Sequence, residues 1–437
     1  MKIREVQDRP VSLWSFLQRL KNQKGSFLIF RDFPPETRNL IWIQFLATFS
    51  GSLAGVFVNI FLWRQAFDFT PLVVFNFFHI LFLVVVYIFS AYLFQKRSSA
   101  FGIRMGLLFS VLFYFSLLLL REKAIFWVIP LGCLKGVASG FYWSGLNLLQ
   151  YVFTHDENRD YYFGTVGVWV TLAGMAGPVI GGGIIVLGEI FVPNQFLGYY
   201  LLFFITSVIF SITAYFSFRL KRLYLTKFSP ETIFSSIKIN RPWRLVLGQQ
   251  FLTGLYDVSL GVLIGIFTYL ILANNEFLVG TFQTAMGIIA AIGSFGAARA
   301  ITEKKRISLA FLGALAIVFS SVLLGFWPTV LVLVFTGLII NSFSPLLQVT
   351  LGTLYFRAID ADSRSWQEKY DYMITRDTAL GLGRLLSYLI LFFLFEKFTQ
   401  LTVARGWIVV AGAIPFLIWL LVWQMKRGIN ENPRGSV

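Results

Sequence analysis

Charge and cysteine are scarce in this chain of 437 residues: Asp, Glu, Lys and Arg together make up 13%, and Cys133 is the lone cysteine. A single thiol excludes an intrachain disulfide and argues against a cysteine-based metal centre. Nowhere does G-x-x-x-x-G-K-[ST] occur, and no stretch between the apolar runs is long enough to hold a nucleotide-binding domain. Nucleotide hydrolysis is therefore not the expected energy source. Weakly alternating segments of about ten residues, the mark of an outer-membrane barrel, are missing too. The first 35 residues are basic and mixed, without an apolar core and small-residue cleavage site. We expect no cleavable signal peptide there, with the first membrane helix directing insertion.

The chain is instead rich in apolar residues. Hydrophobic residues reach 57% and aromatics 18%, and the mean hydropathy of +0.72 lies outside the range of ordinary soluble domains. Apolar runs of about 20 residues, the length a helix needs to cross about 30 Å of hydrocarbon, recur throughout. They predict an all-α polytopic membrane protein with spans near 40–63, 71–95, 101–120, 124–152, 162–188 and 197–219. Six more follow near 244–272, 277–299, 307–326, 328–356, 372–395 and 402–425. The twelve helices divide into two six-helix bundles, 40–219 and 244–425, around the basic linker 220–243. A basic segment 1–39 precedes them and a short tail 426–437 follows.

Of the 37 Lys and Arg, 30 fall on the N-terminal side of the membrane and five on the other: Arg64, Arg121, Lys123, Lys397 and Arg405. The positive-inside rule places both termini in the cytoplasm. The net charge of +16 then follows from topology and attraction to anionic lipid, with no need of nucleic acid. Within residues 11–30, Leu13, Trp14, Phe16, Leu17 and Leu20 recur at helical spacing among basic residues, which predicts an amphipathic helix on the inner surface.

Polar residues are concentrated on every third span. Span 1 carries Gln44, Thr48, Ser52, Gly55 and Asn59 in steps of three or four, so they form one stripe. Span 4 has Lys135, Ser139, Tyr142 and Leu146 on one face, with Gly132, Gly136 and Gly140 beside it for close packing. Span 7 has Gln250, Thr253, Asp257 and Gly261, and span 10 has Asn341, Ser344, Gln348, Gly352 and Tyr355. Spans 3, 6, 9 and 12 lack such faces and read as lipid-contacting, while spans 5 and 8 are rich in glycine. Spans 1, 4, 7 and 10 are thus expected to surround a polar cavity. A second regularity links the halves: RDYYFGTVG at Arg159 and RDTALGLGR at Arg376 both open a span on the N-terminal side.

With these features the chain resembles the major facilitator superfamily, whose members have two pseudo-symmetric six-helix bundles with helices 1, 4, 7 and 10 around a central cavity. The resemblance covers residues 40 to 425. AGMAGPVIGG in span 5 is similar to the antiporter motif ending in GP-x-x-GG, with Gly177, Pro178, Gly181 and Gly182 matching and Ala173 where glycine is usual. The loop AYLFQKRSSAFGIR stands at the family's Gly/Asp/Arg signature, with Gln95 in place of the aspartate. YWSGLNLLQYVFTHDENRDYYFG looks like poorly characterised bacterial members. The resemblance implies a transporter and not an enzyme, a monomer in a plasma membrane of the bacterial inner-membrane type, and a small-molecule substrate, with no cofactor or metal.

Lys135 and Asp257 lie near mid-depth on two cavity helices, where a charge facing lipid costs about 2.5 to 3.5 kcal/mol. They are expected to face each other across the cavity as a substrate or proton site, or to pair and brace the two halves. Arg384, also near mid-depth, reads equally as a brace or a ligand contact. His79, with Asn76 a turn earlier, reads mainly as a hydrogen-bonded packing residue and secondarily as a proton relay. Trp143, Tyr142, Tyr256 and Phe49 are candidates for an aromatic wall. Arg159, Asp160, Arg376 and Asp377 are expected to form a cytoplasmic gate, the aspartates pairing with Lys96, Arg97 or Arg299; the alternative is a solvated loop.

The leading expectation is a secondary transporter that works by alternating access and exports a small amphipathic compound, with a coupling proton carried by Asp257. Uptake of an anionic or sugar-like solute, with Lys135 as its counter-charge, is the alternative. Two other classes compete: a transporter-like receptor or assembly protein without flux, and a membrane-embedded transferase or hydrolase using His155, Asp156 and Glu157. Those three are adjacent in sequence and not helically spaced, which counts against a metal-ligand or nucleophile constellation.

Overall fold

The computed structural model describes residues 33–153, 159–191, 196–220, 241–360 and 366–431. The amphipathic segment expected at 11–30, the loop 155–158 and nearly all of the linker fall outside them, as do the side chains of Arg159 and Asp160. The described chain is helical, without a strand: α1 (Pro35–Ala66), α2 (Thr70–Lys96), α3 (Ser99–Leu120), α4 (Val128–Phe153), α5 (Arg159–Phe191) and α6 (Leu197–Ser217). After the linker come α7 (Arg241–Ile271), α8 (Glu276–Ala300), α9 (Arg306–Phe326), α10 (Val330–Asp360), α11 (Trp366–Lys397) and α12 (Gln400–Glu431). Among the described residues, eleven segments are long and apolar enough to cross a membrane, one of which, Ser99–Gln150, runs through α3 and most of α4. This is a multi-pass membrane protein.

The ends of these helices follow from local chemistry. Pro35 and Pro71 occupy first-turn positions of α1 and α2, where a missing N–H costs nothing. The α1 chain stops at Phe67, which turns left-handed at φ 51° and returns its N–H to the Trp63 carbonyl. Asn275 caps α8, its side chain accepting from the Leu278 N–H at 3.0 Å. The expected fourth span begins later than its apolar run suggests. Arg121 adopts φ 51° and ends α3, and Arg121–Trp127 forms a 3₁₀ turn before α4 starts at Val128.

Packing is dictated by small residues. Gly132, Gly136 and Gly140 on α4 lie against the carbonyls of Phe75, His79 and Leu83 on α2, so tightly that an added Cβ would collide with them. Within 35–220, α1 packs on α5 and α6, α2 and α3 on α4, and α6 on α3 and α5. Within 241–431, α7 packs on α11 and α12, α8 and α9 on α10, and α12 on α9 and α11. Between these two sets the principal seams are α5 on α8 and α2 on α11. The exposed apolar side chains of α3, α6, α9 and α12 include Leu112, Phe204, Phe319 and Leu417.

Candidate functional site

We call the end holding the α1–α2 turn distal and the end holding both helical termini proximal. The polar stripes of α1, α7 and α10 border open space: a Cβ at Gly51, Gly55, Gly261, Gly265 or Gly352 would meet nothing within 4 Å. Along those stripes Thr48, Ser52, Asn59, Gln250, Thr253, Asp257, Asn341 and Ser344 are partly exposed and Gln348 is exposed. On α4, Lys135, Ser139 and Tyr142 are partly exposed and Trp143 is exposed. Several of these polar groups are nonetheless engaged. Asn59 accepts from the Asn76 side chain at 2.9 Å, Asn341 donates to the Gly337 carbonyl at 2.8 Å, and Gln348 lies 3.5 Å from the Tyr256 hydroxyl. Gln250 reaches only its neighbour Gln249, at 3.4 Å.

Gln44 departs from the expectation. It is 3% exposed, donates to the Tyr162 hydroxyl at 2.7 Å and accepts from Gln150 at 2.7 Å. Its amide is spent tying α1 to α4 and α5, away from the open space.

The mid-depth charges are arranged differently from the expected Lys135–Asp257 opposition. Asp257 is held by Arg384: the guanidinium Nε lies 3.2 Å from both carboxylate oxygens and Nη2 lies 2.5 Å from Oδ2. The cause is backbone approach. Gly254 on α7 abuts the Leu380 carbonyl and Gly383 on α11 abuts the Phe251 carbonyl, so α7 and α11 meet one turn from Asp257 and an arginine fork fits it. Lys135 instead points its ammonium over the rings of Phe113 and Tyr114, 5.1 Å from each centroid. No carboxylate pairs with it among the described residues. His79 bonds Ser139 at 3.2 Å and lies within electrostatic reach of both Lys135 and Arg384.

A cavity of about 340 Å³ leads from Arg384 toward the proximal end, between Leu83 and Tyr87 of α2, Trp143 and Asn147 of α4, and Arg376, Asp377, Leu380 and Gly381 of α11. Asp377 pairs with its chain neighbour Arg376 at 2.6 Å; Arg376 also sits over the Tyr355 ring at 4.7 Å. Of the expected partners, Arg97 lies over Phe101 and Arg299 over Phe295.

The distal end is shut by contacts that sequence reading assigned no role. Arg64 at the end of α1 bonds Glu276 of α8 at 2.7 Å and Glu189 of α5 at 3.0 Å. Tyr199 donates to the same Glu276 oxygen at 2.8 Å. Beside them, Gln400 of α12 donates to Asp68 at 2.6 Å and accepts from the Phe69 N–H at 2.9 Å, while Phe69 stacks on Phe395. The motif glycines build this seam. Gly177 and Gly181 lie against Ser52 and Leu53 of α1, Gly182 against Glu276, and Gly280 of α8 against the Pro178 carbonyl. The available signal was that Arg64, Glu189 and Glu276 all lie at span ends on the side with few charges.

No family model matches the chain. An uncharacterised protein of Bacillus subtilis (strain 168), YqgE, is 29% identical over 354 residues, 79% of this chain and 81% of that one. An uncharacterised protein from the sodM 3′ region of Geobacillus stearothermophilus is 35% identical over 134 residues, 31% of this chain and 63% of that one. Among solved structures, the fold is similar to that of the human organic anion transporter MFSD10, with TM-score 0.62 and 14% identity over 89% of this chain and all of that one. The nucleoside transporter NupG gives 0.64 and 11% over 90% of this chain and 100% of that one. A bacterial homologue of the human drug peptide transporters PepT1 and PepT2 gives 0.69 and 10%, over 91% of this chain and 98% of that one.

Proposed function

The chain has the major facilitator fold, and from that fold and the interior of its helices we propose that it is a secondary transporter moving a small organic solute by alternating access. The observation that carries this reading is the pairing of a partly exposed, charged interior with a closed distal end. Lys135, His79, Asp257 and Arg384 sit at mid-depth on helices of both halves, beside a cavity that runs proximally. Burial against lipid would be costly for such groups, so they belong to a polar passage.

The helix pairings of 35–220 recur in 241–431 with each number raised by six, which supports twelve crossings in two pseudo-symmetric six-helix bundles. Such halves rock about a midplane site. The excess of basic residues on the proximal side supports a plasma membrane orientation with both termini cytoplasmic, so the state seen is closed to the outside. A proton gradient is the proposed energy source, with Asp257 or Glu276 as carrier; Asp257 keeps its partner within one half, whereas Glu276 is held by Arg64 and Tyr199 of the other half and loses both when the halves part. The α5 segment similar to the antiporter motif lies in the seam between halves, and on that similarity we read the direction as export.

Reconstitution into proteoliposomes under an imposed pH gradient tests this. Solute-dependent proton movement, reported by an internal pH-sensitive dye, is expected for at least one member of a panel of organic anions, cations and neutral amphiphiles. Ligands that bind and shift the melting temperature, yet neither move nor exchange across the vesicle wall, would make the protein a receptor.

A further inference from the structure

We propose that the midplane site, read as the transport site above, selects an organic anion with a flat apolar body. The argument is one of charge balance. Asp257 is matched one for one by Arg384 through a fork that uses both carboxylate oxygens. Lys135 then remains a mid-depth cation with only aromatic faces for company. Two ring contacts do not replace the hydration an ammonium gives up, so a carboxylate or similar anion entering the open space completes the site. His79, whose Nε2 bonds Ser139 at 3.2 Å, lies within electrostatic reach of both cations.

The surroundings set the rest of the ligand. The adjoining cavity presents Leu83, Tyr87, Trp143 and Leu380, which suit a planar apolar group. Its volume of about 340 Å³ is at the small end for drug-sized ligands. Among the described residues, the buried hydroxyls of Tyr114, beside Lys135, and of Tyr388, beside the Asp257–Arg384 pair, have no hydrogen-bond partner.

The experiment holds the apolar body constant and changes only the charge. Equilibrium dialysis and calorimetry on the detergent-purified full chain would use 1-naphthoate, 1-naphthalenemethanol and 1-naphthylmethylamine. Naphthoate is expected to bind at least tenfold more tightly than either of the others. Lys135→Met, close in size and checked for an unchanged melting profile, should abolish that preference. Lys135→Arg, which keeps the charge, should retain it within about threefold. Equal or tighter binding of the amine, or naphthoate affinity indifferent to Lys135→Met, overturns the anion assignment. Exchange of the amine across proteoliposomes in that case would leave the transport reading standing. Absence of naphthoate binding in a folded protein also overturns the assignment.

Discussion

Replacing Arg64 by alanine is expected to open the distal end. Arg64 is the shared cation of Glu276 and Glu189, and its side chain is 16% exposed against 3% for Glu276 and 30% for Glu189. Truncating one partner of a buried pair costs about 3 to 5 kcal/mol, because a charge is left buried without compensation. The Glu189 contact is screened and adds at most about 1 kcal/mol. Glu276 regains water once the halves part, so the penalty falls on the closed state alone. Taking about 3 kcal/mol, the ratio of distally open to closed molecules rises by about a hundredfold. The contacts of Asp68 and Phe69 with Gln400 and Phe395 also join the halves at this end and are untouched by the substitution, so the change read is the share of the closure that Arg64 carries, with an unchanged melting profile as the check on folding. Spin labels on Phe126→Cys and Leu278→Cys, exposed positions on opposite halves, in a Cys133→Ser background read the distal separation directly. A long-distance population absent from the parent should dominate in the Arg64→Ala variant. An unchanged distance distribution would refute the idea that this cluster holds the halves together.

Three further outcomes are expected. Gly136→Ala, whose Cβ would meet the His79 carbonyl and Phe82, should lower stability by about 1 to 3 kcal/mol, while Gly55→Ala, which meets nothing, should be neutral or gain up to about 1 kcal/mol; denaturation in detergent compares them. Asp257→Ala should destabilise more than Asp257→Ala with Arg384→Ala, a coupling of about 0.5 to 3 kcal/mol in a double-mutant cycle; simple additivity would mean the fork contributes nothing. Glu276→Gln should keep solute exchange between two equal pools and lose accumulation driven by a pH gradient; accumulation with the parent's pH response would exclude Glu276 from proton coupling.

Much of the architecture was legible because hydropathy and polar periodicity are properties of a single helix. The stripe through Thr48, Ser52, Gly55 and Asn59 needs only a 3.6-residue repeat to be placed on one face. The glycines of α4 likewise announce a close neighbour, although nothing in the sequence says that the neighbour is α2. Pairings between helices obey a different rule, which is why the sequence sets Asp257 opposite Lys135 and leaves its pairing open, while the structure gives it Arg384 as partner. That choice was made by Gly254 and Gly383, which let two backbones touch and place an arginine fork within reach. Gln44 shows the same limit: its position on the stripe was readable, but its capture by Tyr162 and Gln150 depends on how α4 and α5 lean over α1. The distal cluster was missed because Arg64, Glu189 and Glu276 stand 125 and 212 residues apart in the chain.

The two charged sites have opposite imbalances, and the imbalances fit a single cycle. At the distal end two carboxylates share one guanidinium, with Tyr199 as an added donor to Glu276. At mid-depth there are two cations, Lys135 and Arg384, and one carboxylate, Asp257, which is paired with Arg384. A proton neutralises the first excess and an anion the second. Neutralising the Glu276 side chain, as Glu276→Gln does, removes the negative charge that holds Arg64 to α8 and favours distal opening. Filling the centre with an anion removes the positive excess that would otherwise sit uncompensated in the closed bundle. The two imbalances thus bear on different steps: the distal one sets how firmly the halves close and the central one what the site accepts, and coupling between them requires that an occupant bind the two conformations unequally.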